Sequence, residues 1–158
     1  MKLRRMRKED LDWVVAVASG LKEAPHWAPG AYLAALELSS MPRRIALVAE
    51  LPESGAIVGF AVASVLPPQG ELESIAVAAA EQRQGIGRNL ISALLEELKA
   101  EGVREVFLEV RASNQRAIGF YRSLGWTEAG RRPRYYADPE EDAVLMNLGI
   151  EPVERSAG

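Results

Sequence analysis

The stretch Glu81-Gln82-Arg83-Gln84-Gly85-Ile86-Gly87-Arg88 puts two glycines and two arginines where one periodicity gives way to another. Ahead of it, Leu72-Glu73-Ser74-Ile75-Ala76-Val77 alternates as a strand does. After it, Ile86, Leu90, Ile91, Leu94, Leu95 and Leu98 recur at helical spacing, and Gly102 supplies a stop. A glycine loop that opens a helix aims free backbone N–H groups and the positive end of the helix dipole at the same point, and that combination binds phosphate. Gly85 and Gly87 let the loop bend and a ligand come close. Arg83 and Arg88 add cationic donors beside it. An ordinary strand-to-helix turn closed by glycine fits the same pattern. Two other phosphate loops fit less well. A dinucleotide loop needs a third glycine where Leu90 stands, and a P-loop needs a Gly-Lys-Ser or Gly-Lys-Thr that this chain lacks.

Downstream lie two groups suited to proton transfer. Glu109 sits near the end of the apolar run Val103 to Val110, in which Val106, Leu108 and Val110 share one face while Phe107 and Glu109 share the other. A carboxylate held on a dehydrated strand is a stronger base than one in water. A glutamate pointing into solvent, or pairing with Arg111, is the competing reading. Tyr121 lies on a helix expected to start after Asn114, a fair N-cap, and to end at Gly125. A phenol, with a pKa of about 10, is protonated at neutral pH and can act as a proton donor. Tyr121 could equally be a core residue on a helix that also carries Phe120.

Composition narrows the chemistry. The chain of 158 residues has no cysteine, so disulfides, thiolate metal sites and a cysteine nucleophile are excluded. The single histidine, His26, lies between Pro25 and Trp27 and cannot form a histidine metal cluster; it reads as structural or acceptor-facing. The formal net charge is −3 with no long lysine or arginine block, which argues against direct nucleic-acid binding. No apolar run approaches the roughly 18 residues of a membrane span. The basic start, Met1 to Asp10, is followed by no apolar h-region, so the expectation is a protein without a secretory signal, placed in the cytoplasm.

The elements that must position these groups follow from periodicity. Lys2 to Met6 reads as a short edge strand. Leu11, Val14, Val15, Ala18 and Leu21 read as a helix, and Tyr32, Leu33, Leu36 and Leu38 as a second one ended by Pro42. Ile45 to Ala49 and Ala56 to Ala63 are strands joined by the turn Leu51 to Gly55, and Val65 to Gly70 is a further turn. After the strand 71–77, the helix from Gly85, the strand 103–110 and the helix from Asn114, two closing strands are expected at 126–132 and 143–148, with a loop over 133–142. The expected domain is 1–150, with 151–158 a frayed tail.

Four motifs go beyond these readings. Arg83-Gln84-Gly85-Ile86-Gly87-Arg88, Leu108-Glu109-Val110-Arg111-Ala112-Ser113-Asn114, Ala117-Ile118-Gly119-Phe120-Tyr121-Arg122-Ser123-Leu124-Gly125-Trp126 and Arg134-Tyr135-Tyr136 together resemble the GNAT superfamily of N-acetyltransferases. The resemblance is dense from about Glu73 to Leu148 and thin before that. It implies an α/β (α+β) fold: a twisted, mostly antiparallel mixed sheet of six to seven strands with helices on both faces, splayed between strands 71–77 and 103–110. It implies acetyl-CoA as co-substrate and no metal. Arg83, Gln84, Gly85, Ile86, Gly87 and Arg88 would hold the pyrophosphate. Backbone groups of Ile75, Ala76 and Val77 would hold the pantetheine arm, with Asn114 as a further donor, and Glu109 and Tyr121 would be the base and acid.

The resemblance is strongest to members that acetylate the N-terminal amine of a protein, the alanine of a small-subunit ribosomal protein, by direct transfer in a ternary complex. An acceptor peptide would lie along Arg134-Tyr135-Tyr136 and the stretch Glu23 to Tyr32, where aromatics and loops fit ordinary packing equally well. An α-amino group, with a pKa of about 8 against about 10.4 for lysine, asks less of a lone glutamate, which favours an N-terminal acceptor. A lysine or small-molecule amine as acceptor remains open, as does a non-catalytic acyl-CoA-binding module.

Overall fold

The computed structural model describes residues 1–21, 29–37 and 42–150. His26, residues 23–28 of the expected acceptor stretch, Leu38 and the tail 151–158 lie outside the described residues. Seven strands form one sheet: β1 Lys2–Arg5, β2 Arg43–Glu50, β3 Ile57–Leu66, β4 Gln69–Val77, β5 Glu105–Arg111, β6 Thr127–Ala137 and β7 Glu140–Gly149, in the order β1-β2-β3-β4-β5-β7-β6. Every neighbouring pair is antiparallel except β4 and β5. The helices are α1 Leu11–Ser19, α2 Pro29–Ala35, α3 Ile86–Ala100 and α4 Gln115–Ser123. This is the mixed, mostly antiparallel α/β architecture that the motifs imply.

The sheet is buried on both faces. Val58, Ala61, Ala63 and Leu72 pack with Leu90, Leu94 and Leu98 of α3 and with Tyr121 and Trp126 at α4, forming one core. Val48, Phe60, Val62 and Ala76 pack with Val14 and Val17 of α1 and Tyr32 of α2, forming the other. The run β3 therefore reads as continuous hydrophobicity, buried from Ile57 to Val65. On α3 the buried positions Ile86, Leu90, Ile91, Leu94 and Leu98 make one stripe, and Gly102 at φ 88° ends it. Asp10 is buried at the start of α1, where Arg4 of β1 grips its carboxylate at 2.7 and 2.8 Å. That bidentate pair ties the edge strand to the first helix.

Two features of the sheet open a site. The register of β3 on β4 passes from Val62↔Ser74 to Ala63↔Leu72, so Glu73 is an extra residue in β4. Such a bulge bends its strand and increases its twist. The pairing of β4 with β5 covers only Gln69↔Glu105, Gly70↔Val106 and Glu71↔Phe107. Beyond Glu71 the two strands part, and the remainder of β4 faces a gap.

Three expectations need correction. The second helix closes at Ala35, because the next N–H groups, of Leu36 and Glu37, reach back only three residues, to Leu33 and Ala34. The turn over 65–70 shrinks to Pro67 and Pro68 as β3 and β4 extend into it. The loop expected over 133–142 is mostly strand. β6 and β7 run on to a two-residue turn at Asp138 and Pro139, absorbing Pro133 in a bulge where the register jumps from Arg132↔Ala143 to Tyr136↔Glu141. Pro133 has no N–H to give the ladder, and the Asp142 carboxylate instead accepts from the Arg134 N–H at 3.0 Å. Arg134 takes φ 55° to make the bend.

Candidate active site

The gap between β4 and β5 continues into a cleft of about 990 Å³ that runs from the N-terminus of α3 to the ends of β5 and α4. Ile75, Ala76 and Val77 line it from β4, Arg83, Gly85, Ile86, Gly87 and Arg88 from the loop, and Glu109, Asn114 and Tyr121 from the opposite wall. Of the candidate catalytic and cofactor residues, Gln84 is not among those lining it and is exposed; of the acceptor stretch Arg134-Tyr135-Tyr136, Tyr136 lines it and Arg134 and Tyr135 do not. Ile86 is 3% exposed and belongs to the core as well as to the cleft lining.

The loop has the geometry its glycines suggest. Gly85 sits at φ 79°, a conformation glycine adopts without penalty, and caps α3. The Asn89 N–H donates to the Gly85 carbonyl at 3.0 Å, the first bond of the helix. The N–H groups from 83 to 88 make no backbone hydrogen bond to another described residue, so a row of unpaired donors stands at a helix N-terminus beside the cleft. Arg83 is held at φ 67°, unusual for a side-chain-bearing residue. At Gly87 an added Cβ would stand 3.5 Å from Phe120 and 3.8 Å from Val77, ordinary contact, while further branching would crowd the ligand side.

Residues the motifs did not flag brace this end. The Gln82 carboxamide donates to the Val77 carbonyl at 3.0 Å and accepts from Arg116 of α4 at 3.0 Å. Gln82 thus links the end of β4 to α4 across the cleft and takes one of the backbone acceptors expected to face the pantetheine arm. Its position next to Arg83 was the available signal; its partners are far off in sequence and left none. Asn114 caps α4 by accepting from the Ala117 N–H at 3.1 Å. That bond uses the carboxamide oxygen, so its N–H₂ is available to the cleft and the two readings of Asn114 coexist.

Glu109 has 16% of its side chain exposed and pairs with Arg132 of β6, Nη1 to Oε1 at 3.4 Å. The competing sequence reading, a pair with Arg111, does not form. Arg111 instead donates to the Pro139 carbonyl at 3.1 Å, stands 3.8 Å from Glu141 and stacks over the Tyr136 ring at 4.3 Å. The Glu109 carboxylate in turn raises the phenol of Tyr135 above its ordinary pKa, followed by burial as a smaller cause. Tyr135 and Tyr136 meet edge to face, centroids 5.0 Å apart, beside this carboxylate. Across the cleft Tyr121 is 8% exposed, its ring packed on Phe120 and Trp126 with centroids 5.5 and 5.8 Å apart. Its hydroxyl makes no hydrogen bond among the described residues, and burial lifts its pKa well above that of a free phenol. A phenol held neutral by burial and a carboxylate therefore line one cleft, at whose other end the N-terminus of α3 stands. Among the described residues no group of three or more histidines and carboxylates could hold a metal.

The loop tolerates a direct test. Gly87→Val should weaken acetyl-CoA binding about tenfold or more, the scale of one lost charge-assisted contact. Gly87→Ala, whose Cβ has room, serves as the milder companion. Calorimetry showing unchanged affinity in a folded Gly87→Val protein would remove the loop from the site.

Known proteins share this fold. The [ribosomal protein bS18]-alanine N-acetyltransferase of Escherichia coli K12 is 45% identical over 103 residues, 64% of this chain and 70% of that protein. The crystal structure of the ribosomal-protein-S18-alanine N-acetyltransferase from Escherichia coli superposes with a TM-score of 0.81 at 31% identity, covering 99% of this chain and 98% of the other. Chaetomium thermophilum Naa20 in complex with a bisubstrate analogue superposes at 0.82 with 26% identity, covering 100% of this chain and 94% of that one. The model of the acetyltransferase (GNAT) family matches residues 12–126, and with the cleft, the loop and the parted strands all inside or adjoining that span, the chain belongs to the acetyltransferase (GNAT) family.

Proposed function

We propose that the chain transfers the acetyl group of acetyl-CoA to the N-terminal amine of a protein, the N-terminal alanine of a bS18-like ribosomal protein, by direct transfer in a ternary complex. The observation that carries the reading is the single cleft with N–H donors at one end and Glu109 with Tyr121 along its walls. The named activity of the Escherichia coli relatives supports the choice of acceptor.

Acetyl-CoA supplies an activated thioester. The N–H groups of 85–88 with Arg83 and Arg88 hold its pyrophosphate, and the open edge of β4 at Ile75, Ala76 and Val77 holds the pantetheine amides. Glu109 takes the proton the amine must lose as its nitrogen bonds to the carbonyl carbon, directly or through one water. Tyr121 gives its proton to the thiolate as the carbon–sulfur bond breaks. Burial makes Tyr121 a weaker acid, but the same dry surroundings raise the proton affinity of the thiolate it serves. An α-amino group with a pKa of about 8 is partly neutral near pH 7, so one carboxylate suffices.

Incubation with acetyl-CoA and three acceptors tests this: a peptide starting with alanine, the same peptide with a blocked N-terminus and an internal lysine, and a small polyamine. Mass spectrometry should find acetyl on the first alone. Modification of the blocked peptide or the polyamine would move the acceptor class. Tight acetyl-CoA binding without turnover would mark a non-catalytic module.

A further inference from the structure

The tip of the β6–β7 hairpin joins the sheet irregularly. Between the pairs Arg132↔Ala143 and Tyr136↔Glu141, three residues of β6, Pro133, Arg134 and Tyr135, stand against one of β7, Asp142. A bulge bends its strand and interrupts the ladder, so regular pairing does not by itself set the angle at which the tip leaves the sheet. Yet the tip carries a residue of the cleft. Every position of β6 is exposed except Gly130 and Tyr136, and Tyr136 lines the cleft.

Arg111 supplies what the ladder lacks. It is the last residue of β5, two beyond Glu109, so the two side chains leave the same face of the strand. Its guanidinium meets the tip in three ways. Nη1 donates to the Pro139 carbonyl at 3.1 Å and stands 3.8 Å from the Glu141 carboxylate, and Cζ lies 4.3 Å from the centroid of the Tyr136 ring. Glu141 is tied in turn to the segment before α4, where its carboxylate accepts from the Ser113 N–H at 2.6 Å. A planar guanidinium that stacks and donates at once fixes orientation better than a point charge does. The tip is thus held from β5, across the bulge, by one side chain.

We propose that Arg111 is a positioning residue for the acceptor: it pins the hairpin tip so that Tyr136 stands as a wall of the cleft beyond Glu109 before the acceptor arrives. The inference rests on the reading above that an N-terminal amine enters this cleft. On that reading the pyrophosphate takes the N-terminus of α3, the acyl end of the cofactor points toward Glu109, and the amine enters where Arg111 and Tyr136 line the cleft. A wall already in place spares the acceptor the entropy of ordering the tip, and that saving appears in its binding.

The test is steady-state kinetics with acetyl-CoA and the alanine-initiated peptide on wild type, Arg111→Met, Tyr136→Leu and the double variant. Arg111→Met should raise the peptide KM about tenfold, the scale of a lost cation–π contact together with a charged hydrogen bond, with a much smaller change in kcat and in the KM for acetyl-CoA. KM does not depend on the amount of folded enzyme, so partial unfolding cannot imitate this result. If Arg111 acts through Tyr136, the double variant should have a peptide KM close to that of Tyr136→Leu alone. An unchanged peptide KM in Arg111→Met, a loss confined to kcat, an equal rise in the acetyl-CoA KM, or single effects that multiply in the double variant overturns the positioning role and leaves the N-terminal reading standing. Absence of wild-type turnover on the peptide overturns the N-terminal reading and the positioning role with it.

Discussion

Glu109→Gln should lower kcat by about 10²–10⁴-fold at neutral pH, the usual cost of losing a general base. The substitution keeps the shape of the side chain on β5 and removes only its basicity. The fold should tolerate it. The ion pair it weakens joins Glu109 to an Arg132 whose side chain is 56% exposed, and pairs of that kind contribute about 0–1 kcal/mol. The pH dependence identifies the role. As pH rises past about 8, the α-amine deprotonates without help, so the gap between variant and wild type should narrow. A base that acts on the amine predicts this convergence; a carboxylate that only positions Arg132 or Tyr135 predicts a constant ratio. A wild-type rate at neutral pH would mean that another group, or water, takes the proton.

The parts of this site that were readable in the sequence are those encoded locally. The helix α3 announces itself by its apolar spacing, and the loop before it by Gly85 and Gly87, the first of which the structure uses as a left-handed cap. Asn114 and Gly125 mark the two ends of α4 for the same reason, since capping chemistry is settled within a few residues. The partner of Glu109 was not readable, because Arg132 arrives from β6 by strand pairing while Arg111 is merely near in sequence. The hairpin of β6 and β7 was missed because Pro133 and the polar residues after it have turn chemistry. Long-range pairing and the Asp142 side chain override that local preference. A smaller pocket walled by Leu66, Phe107 and Leu145 was likewise out of reach. Leu66, Phe107 and Leu145 come from three strands, and nothing in their spacing says that they enclose a space with Ser64 and Glu71.

Tyr121→Phe should lower kcat by about 10²-fold while leaving acetyl-CoA affinity nearly unchanged, because the hydroxyl matters when charge develops on sulfur and little before. The ring contacts with Phe120 and Trp126 survive the substitution. The lost hydroxyl has no hydrogen-bond partner among the described residues, so its removal strands nothing and Tm should stay within a few degrees. The pH profile separates this residue from Glu109. Burial raises the Tyr121 phenol, so its protonated form, the one that donates, is fully present at neutral and mildly alkaline pH and would be lost only above the ordinary phenol range. The Tyr121→Phe deficit should therefore stay constant from about pH 6 to 9, where the Glu109→Gln deficit shrinks. A residue that serves only the core predicts normal kcat whatever happens to Tm. Measuring kcat across that pH range and Tm on the same sample decides between them: an unchanged kcat defeats the acid assignment, and a deficit that closes with pH reassigns Tyr121 to the amine side of the reaction.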